Sequence, residues 1–147
     1  MIKIIATLLT FFAFNVSHAK VNVGIILGFT GPIETLTPGM SAGAELAFNE
    51  AADSGKLLNG QGINIIKVDS TCVDSAAATS AAESLISQGV TAIMGADCSG
   101  VTGAVLSNVA VPNGVPMISP SATSPGLTTA PDNGLFFRTA PSDARGG

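Results

Sequence analysis

The chain alternates between two hydrophobic rhythms. "VNVGIILGF", Val21 to Phe29, is a β-branched apolar run closed by turn residues and predicts a buried strand. Ala44, Ala47, Phe48, Ala51 and Ala52 then recur at helical spacing, which predicts an amphipathic helix. Thr37 and Pro38 read as its N-cap and first helical residue. After the turn "NGQG", "INIIKV" (Ile63 to Val68) predicts a second strand. Ala78, Ala81, Ala82, Leu85 and Ile86 form the face of a second helix, opened by Asp74 or Ser75. A third strand is expected over Thr91 to Gly95. A helix from Ser99 follows, with Val101, Ala104, Val105, Asn108 and Val109 on one side and "PNG" at its end. Val115 to Ser119 predicts a fourth strand, Pro120 to Gly134 a Ser/Thr/Pro/Gly-rich loop, and Leu135 to Thr139 a fifth strand. Ser142 reads as the cap of a further helix.

Strands alternating with helices call for an α/β fold, a doubly wound parallel sheet with helices on both faces. Ligands of such sheets bind beyond the carboxyl ends of the strands, where strand order reverses. The loops at that end are Thr30–Thr37, Asp69–Asp74, Ala96–Ser99 and Pro120–Gly134.

The first nineteen residues stand apart from this rhythm. A short basic start, the apolar run Ile4–Phe14 of eleven residues, and the small residues Ser17 and Ala19 read as a secretory signal peptide over residues 1–19. The run is shorter than the roughly twenty residues a membrane span needs. No cysteine follows it, so no lipid anchor is expected. The expectation is a mature chain from Lys20, residues 20–147, exported to the periplasm and soluble there. Loss of Lys3 leaves five basic residues against ten acidic ones, a net charge of −5. No basic cluster occurs, which argues against nucleic acid as a partner.

The stretch "MGADCSG", Met94 to Gly100, falls in one of the ligand-end loops and raises the question of chemistry. A Cys or Ser nucleophile usually needs a base, most often His, yet the one histidine, His18, lies within the signal segment. There is no G-x-S-x-G elbow, no G-x-G-x-x-G and no P-loop. With two cysteines and no histidine a zinc site would need carboxylates to complete it, which the spacing does not suggest, and a redox pair would usually be C-x-x-C. No catalytic residue, metal or cofactor is therefore assigned. An exported chain with an even cysteine count favours a disulfide between Cys72 and Cys98, two buried free thiols being the alternative. Such a bond requires the loops after the second and third strands to lean together over the end of the first, because Cα atoms must come within about 7 Å.

"DSTCVDSAAA", "GADCSGVTGAV" and "MISPSATSPGLT", with "TGP", "GAELAFNEA" and "FRTAPSDARGG", resemble the type I periplasmic binding proteins, the Leu/Ile/Val-binding family of ABC importers. The resemblance runs from Val21 to Gly147. It implies a protein that clamps an amino acid between two lobes and delivers it to a membrane permease. Ser99 matches the serine that holds the ligand α-carboxylate, with Gly100 leaving the backbone open beside it. A hydroxyl at a helix start suits an anion, and its oxygen could also cap the helix. Ser99 as a plain N-cap is the alternative. Ser121, Ala122 and Thr123 match positions that hold the ligand's ammonium and carboxylate, against the alternative of ordinary turn chemistry. Leu36 stands where branched-chain binders carry an aromatic residue, a departure that leaves other amino acids, small amides and organic cations open, with a hydrophobic amino acid as the first expectation. The resemblance further implies that residues 20–147 are part of the N-terminal lobe, with the second lobe absent. Such a fragment is expected to bind amino acids weakly or not at all. A sensor of the same fold and a non-functional fragment are the alternative readings.

Overall fold

In a computed structural model, residues 20–56 and 60–145 are described. The predicted signal segment, residues 1–19, lies outside them. Five parallel strands form one sheet in the order β2-β1-β3-β4-β5. They are β1 Val21–Leu27, β2 Ile63–Asp69, β3 Ile93–Gly95, β4 Met117–Ser119 and β5 Phe136–Arg138. The α/β, doubly wound layout expected from the hydrophobic rhythm is the one observed, with strand order reversing at β1. Except for β2, which extends one residue further to Asp69, the strands are shorter than the apolar runs that encode them. Gly28 already leaves β1, because its N–H turns to the side chain of Asp97 at 2.7 Å.

Helix α1 spans Thr37–Asp53 and α2 spans Ser75–Ser87. Asp74 caps α2, accepting from the N–H groups of Ala76 and Ala77 at 2.9 and 3.0 Å. Thr37 does not cap α1. Leu36 occupies that place without a side-chain bond, and the Thr37 hydroxyl donates to the carbonyl of Glu34 instead. Helix α3, Ser99–Val105, runs on through a widened turn, Leu106–Ala110, into a short α4, Val111–Asn113. In the widened turn the N–H of Val111 reaches the carbonyl of Leu106, five residues back. Pro112 has no N–H and its ring needs room beside the carbonyl of Asn108, which favours such a turn. The buried face of this helix is centred one residue later than the spacing predicts. Thr102, Leu106 and Ala110 join Val101, Val105 and Val109 in the core, and Asn108 is exposed. The segment predicted as loop contains a single 3-10 turn, Pro125–Thr128, and Asp143–Arg145 forms another behind Ser142.

The two faces of the sheet differ. Ile93, Met117 and Phe136 stand in register on one face and meet α2 and α3 in the main core around Leu85, Val105 and Val109. Ile25, Met94, Ile118 and Phe137 stand in register on the other. There α1 covers β1 and β2, helped by an ion pair of 3.0 Å between Glu45 and Lys67 of β2. Over β4 and β5, Ile118 and Phe137 remain 41% and 56% exposed. Among the described residues no helix is long and apolar enough to cross a membrane.

Candidate functional site

The carboxyl ends of β1 to β4 converge on the loops singled out from the sequence, and hydrogen bonds tie these loops to one another. Asp69, ending β2, accepts from the Thr30 hydroxyl, from the Thr30 N–H at 3.3 Å and from the Thr71 N–H at 2.8 Å. Burial pushes the Asp69 carboxyl up, but the bonds from Thr30, Thr71 and Phe29 outweigh it and hold its pKa below the usual value. Beyond Asp69 the chain enters the left-handed region at Thr71 (φ 58°) and Cys72 (φ 70°). Cys72 is bonded to Cys98 in a disulfide, with Cα atoms 5.2 Å apart. The two loops do lean together over the end of β1. Gly95 (φ 125°) ends β3 where a Cβ would sit 1.9 Å from the carbonyl oxygen of Ile26, so only glycine fits this crossing.

Cys98 is the N-cap of α3 and makes no side-chain capping bond, its sulfur being committed to the disulfide. Ser99 is the first helical residue. Its oxygen does not cap the helix, as the sequence reading allowed. It accepts instead from the N–H groups of Thr123 and Ser124, each at 3.1 Å, across the gap between β3 and β4. Two acceptor bonds use the lone pairs of the hydroxyl and leave its proton to donate. Ser121 faces the same turn and donates its hydroxyl to the carbonyl of Asp97 at 2.9 Å. Ser119 donates to the carbonyl of Ala96 and accepts from the N–H of Ala122 at 3.0 Å.

Of the residues singled out, Ser99, Ser121 and Thr123 are thus brought into one hydrogen-bonded constellation. Gly100 lies exposed beside it in the first turn of α3. Ala122 is fully buried, with its N–H given to Ser119 and its carbonyl accepting from Arg138. Leu36 is 58% exposed at the start of α1, with no hydrogen bond tying it to this constellation. The main chain of Thr123 is spent within the protein, its N–H on Ser99 and its carbonyl on the Asp143 N–H at 3.0 Å. Among the described residues no donor meets the carbonyl of Ser121. None of them forms a cluster able to hold a metal ion.

Two residues of the constellation escaped the sequence reading. Asp97 is 2% exposed and takes part in bonds to three other segments. Arg138 of β5 spreads its guanidinium over the carbonyls of Ser124 (2.9 Å) and Ala122 (3.5 Å) and the hydroxyl of Thr128, clamping the loop that carries Ser121 and Thr123. Apart from the adjacent Cys98 N–H, their partners lie 10 to 69 positions away in sequence, and only "FRT" after the loop could have drawn attention to Arg138.

The family described as periplasmic binding protein matches residues 20–147. The chain belongs to that family. A curated relative, the Leu/Ile/Val-binding protein BraC3 of Rhizobium johnstonii, is 32% identical over 124 residues, which are 84% of this chain and 33% of the relative. Among solved structures, the branched-chain amino acid transporter substrate binding protein LivJ of Streptococcus pneumoniae, in complex with isoleucine, superposes with a TM-score of 0.75. It is 31% identical, and the match covers 86% of this chain and 35% of LivJ. A solute binding protein of an ABC transporter from R. palustris, in complex with benzoate, gives a TM-score of 0.68 at 27% identity, covering 86% and 34%. This periplasmic binding protein chain spans about a third of the length of these relatives. Members of the family are binding proteins and not enzymes.

Proposed function

We propose that this chain contributes one wall of the ligand site of an extracytoplasmic solute-binding protein serving an ABC importer, and that the ligand is an amino acid. The observation that carries the reading is the state of Ser99. Its oxygen is filled by two backbone N–H groups, so the hydroxyl is a donor only and suits an anion. It stands in the first turn of α3, where unpaired N–H groups and the helix dipole favour a carboxylate. The carbonyl of Ser121, without a described donor, suits an ammonium group. One donor and one acceptor on facing loops match the two charged ends of an α-amino acid. The ligands held in two of the solved relatives, isoleucine and benzoate, share a carboxylate beside an apolar body. A hydrophobic amino acid is our first choice, with exposed Leu36 available at the rim for its side chain.

In this reading residues 1–19 direct export to the periplasm, and the permease of the importer is the macromolecular partner. The opposite wall is a second lobe, so the 147-residue chain binds its ligand weakly, roughly in the millimolar range. Titration of isotope-labelled chain with isoleucine, followed by amide shifts, tests this. The expected result is a saturable change at Ser99, Gly100 and Ser121, lost in Ser99→Ala. Changes confined to other residues, or none at millimolar isoleucine, would count against the proposal, and micromolar affinity would count against the second lobe.

A further inference from the structure

We propose that Asp97 is the positioning residue of this site, the group that sets where Ser99 and Ser121 stand. The inference rests on reading Ser99 as the carboxylate donor, and it concerns a side chain that would itself never touch the ligand. A carboxylate 2% exposed must recover its lost hydration from hydrogen bonds or a cation. The only ion pair among the described residues, Lys67 with Glu45, lies elsewhere. Asp97 is satisfied by donors alone. One oxygen accepts from the Gly28 N–H at 2.7 Å. The other accepts from the Cys98 N–H at 2.9 Å and from the Ser70 hydroxyl at 3.4 Å.

These donors come from different parts of the fold. Gly28 follows β1, Ser70 follows β2, and Cys98 opens α3. The carbonyl of Asp97 takes the Ser121 hydroxyl from the loop after β4. One residue therefore joins the carboxyl ends of β1 to β4. The consequence falls on its neighbour. The Asp97–Cys98 bond fixes the peptide leading into α3, and Ser99 is the next residue. The Ser99 oxygen in turn holds the Thr123 and Ser124 N–H groups. The disulfide alone does not do this: it ties Cys98 to the β2 loop, and although Cys72 packs beside Gly28, it makes no hydrogen bond to Gly28 or Ser121. A pre-set donor and acceptor lose less freedom on binding, which is where the site gains affinity.

Asp97→Asn tests the role, because it keeps the shape and replaces one acceptor by a donor. Whichever way the amide turns, its NH2 group faces either the Gly28 or the Cys98 N–H. In labelled chain, the Gly28 and Cys98 amide protons should lose the downfield shift of a bond to a carboxylate. The Thr123 and Ser124 amides, which do not touch residue 97, should also shift and should exchange at least tenfold faster in the folded state. A purely structural Asp97 would lower the unfolding midpoint but leave the Thr123 and Ser124 shifts of the folded protein unchanged, and that result would overturn the proposal. If the variant does not fold, native-state exchange of the wild-type chain decides. Gly28, Cys98, Thr123 and Ser124 should open in one step of common free energy and denaturant slope, and separate opening of the latter two would refute the coupling. Isoleucine titration of the wild type keeps the two readings apart: its failure would remove the ligand assignment without touching the amide result.

Discussion

Removing the disulfide offers a measurable test of how the ligand end is held. Cys72 and Cys98 are 26 positions apart, and closing a loop of that length restricts the unfolded chain by an amount worth about 3.5 kcal/mol at 25 °C in the chain-entropy estimate. Part of that is offset in the folded state. Thr71 and Cys72 sit at φ 58° and 70°, a region that costs an L-residue roughly 1–2 kcal/mol. Without the bond this turn is free to relax, although the Asp69 bond to the Thr71 N–H resists relaxation at the first of the two positions. The net expectation for Cys72→Ala/Cys98→Ala is a loss of about 2–3 kcal/mol, or a fall of roughly 6–10 °C in melting temperature for a domain of this size. Urea unfolding is the assay. The midpoint should fall and the slope should rise, because the unlinked chain exposes more surface when unfolded. A loss below about 1 kcal/mol would refute the reasoning, since neither the loop length nor the relief of one turn then accounts for the balance.

Ser99→Ala leaves the Thr123 and Ser124 N–H groups without their acceptor and should cost about 1–3 kcal/mol in urea unfolding, with Ser99→Thr restoring most of it. Gly24→Ala places a Cβ 2.6 Å from a methyl of Leu85 and should cost about 1–3 kcal/mol alone. Leu85→Ala should cost about 2–5 kcal/mol, and the double variant less than the sum, as a double-mutant cycle will show. Asp69 has its pKa lowered by folding, so its contribution is present above its usual value near 3.8 and is lost as the pH falls through the lower folded value. The stability gap between wild type and Asp69→Asn, measured by denaturant titration at several pH values, should therefore be constant near neutrality and shrink in acid. A gap that widens on acidification would reverse the sign.

The architecture was readable because each β-branched run and each small-residue helical face reports its own burial, and α/β alternation leaves few topologies. What the sequence concealed depends on partners distant along the chain. Local rules make Thr37 and Ser99 helix caps, yet Thr37 bonds back to Glu34 and the Ser99 oxygen is taken by N–H groups 24 and 25 positions on. The site residues themselves came from motif resemblance, and their hydrogen-bond states could come only from the fold. Asp97 carries no local signature at all. Between alanine and cysteine it reads as a loop residue, and its donors at Gly28 and Ser70 become neighbours only once β1 lies between β2 and β3. The rotated face of α3 was hidden for a different reason, because a regular helical period has no place for the widened turn at Leu106–Ala110.

The two faces of the sheet should not matter equally to the site. Ser99 begins a helix whose buried residues pack with α2 against Ile93 and Met117, so a cavity there shifts the base on which Ser99 stands. Ile118 and Phe137 lie on the partly bare face, and truncating them removes less packing. Among the described residues, the proposed site has no cationic anchor at its centre. Arg138 spends its guanidinium on carbonyls and on Thr128, the Asp97 carboxylate is turned inward onto its own donors, and the groups left around Ser99 are hydroxyls and backbone groups. A site with a lysine or arginine facing the ligand tolerates small displacements, because a charge acts at a distance. One built from neutral donors does not, because a hydrogen bond weakens steeply once its angle falls toward 120°. If the proposed site is the ligand wall, recognition there depends on placement more than on charge. That makes a buried carboxylate joining four strand ends a more sensitive target than any exposed residue around it.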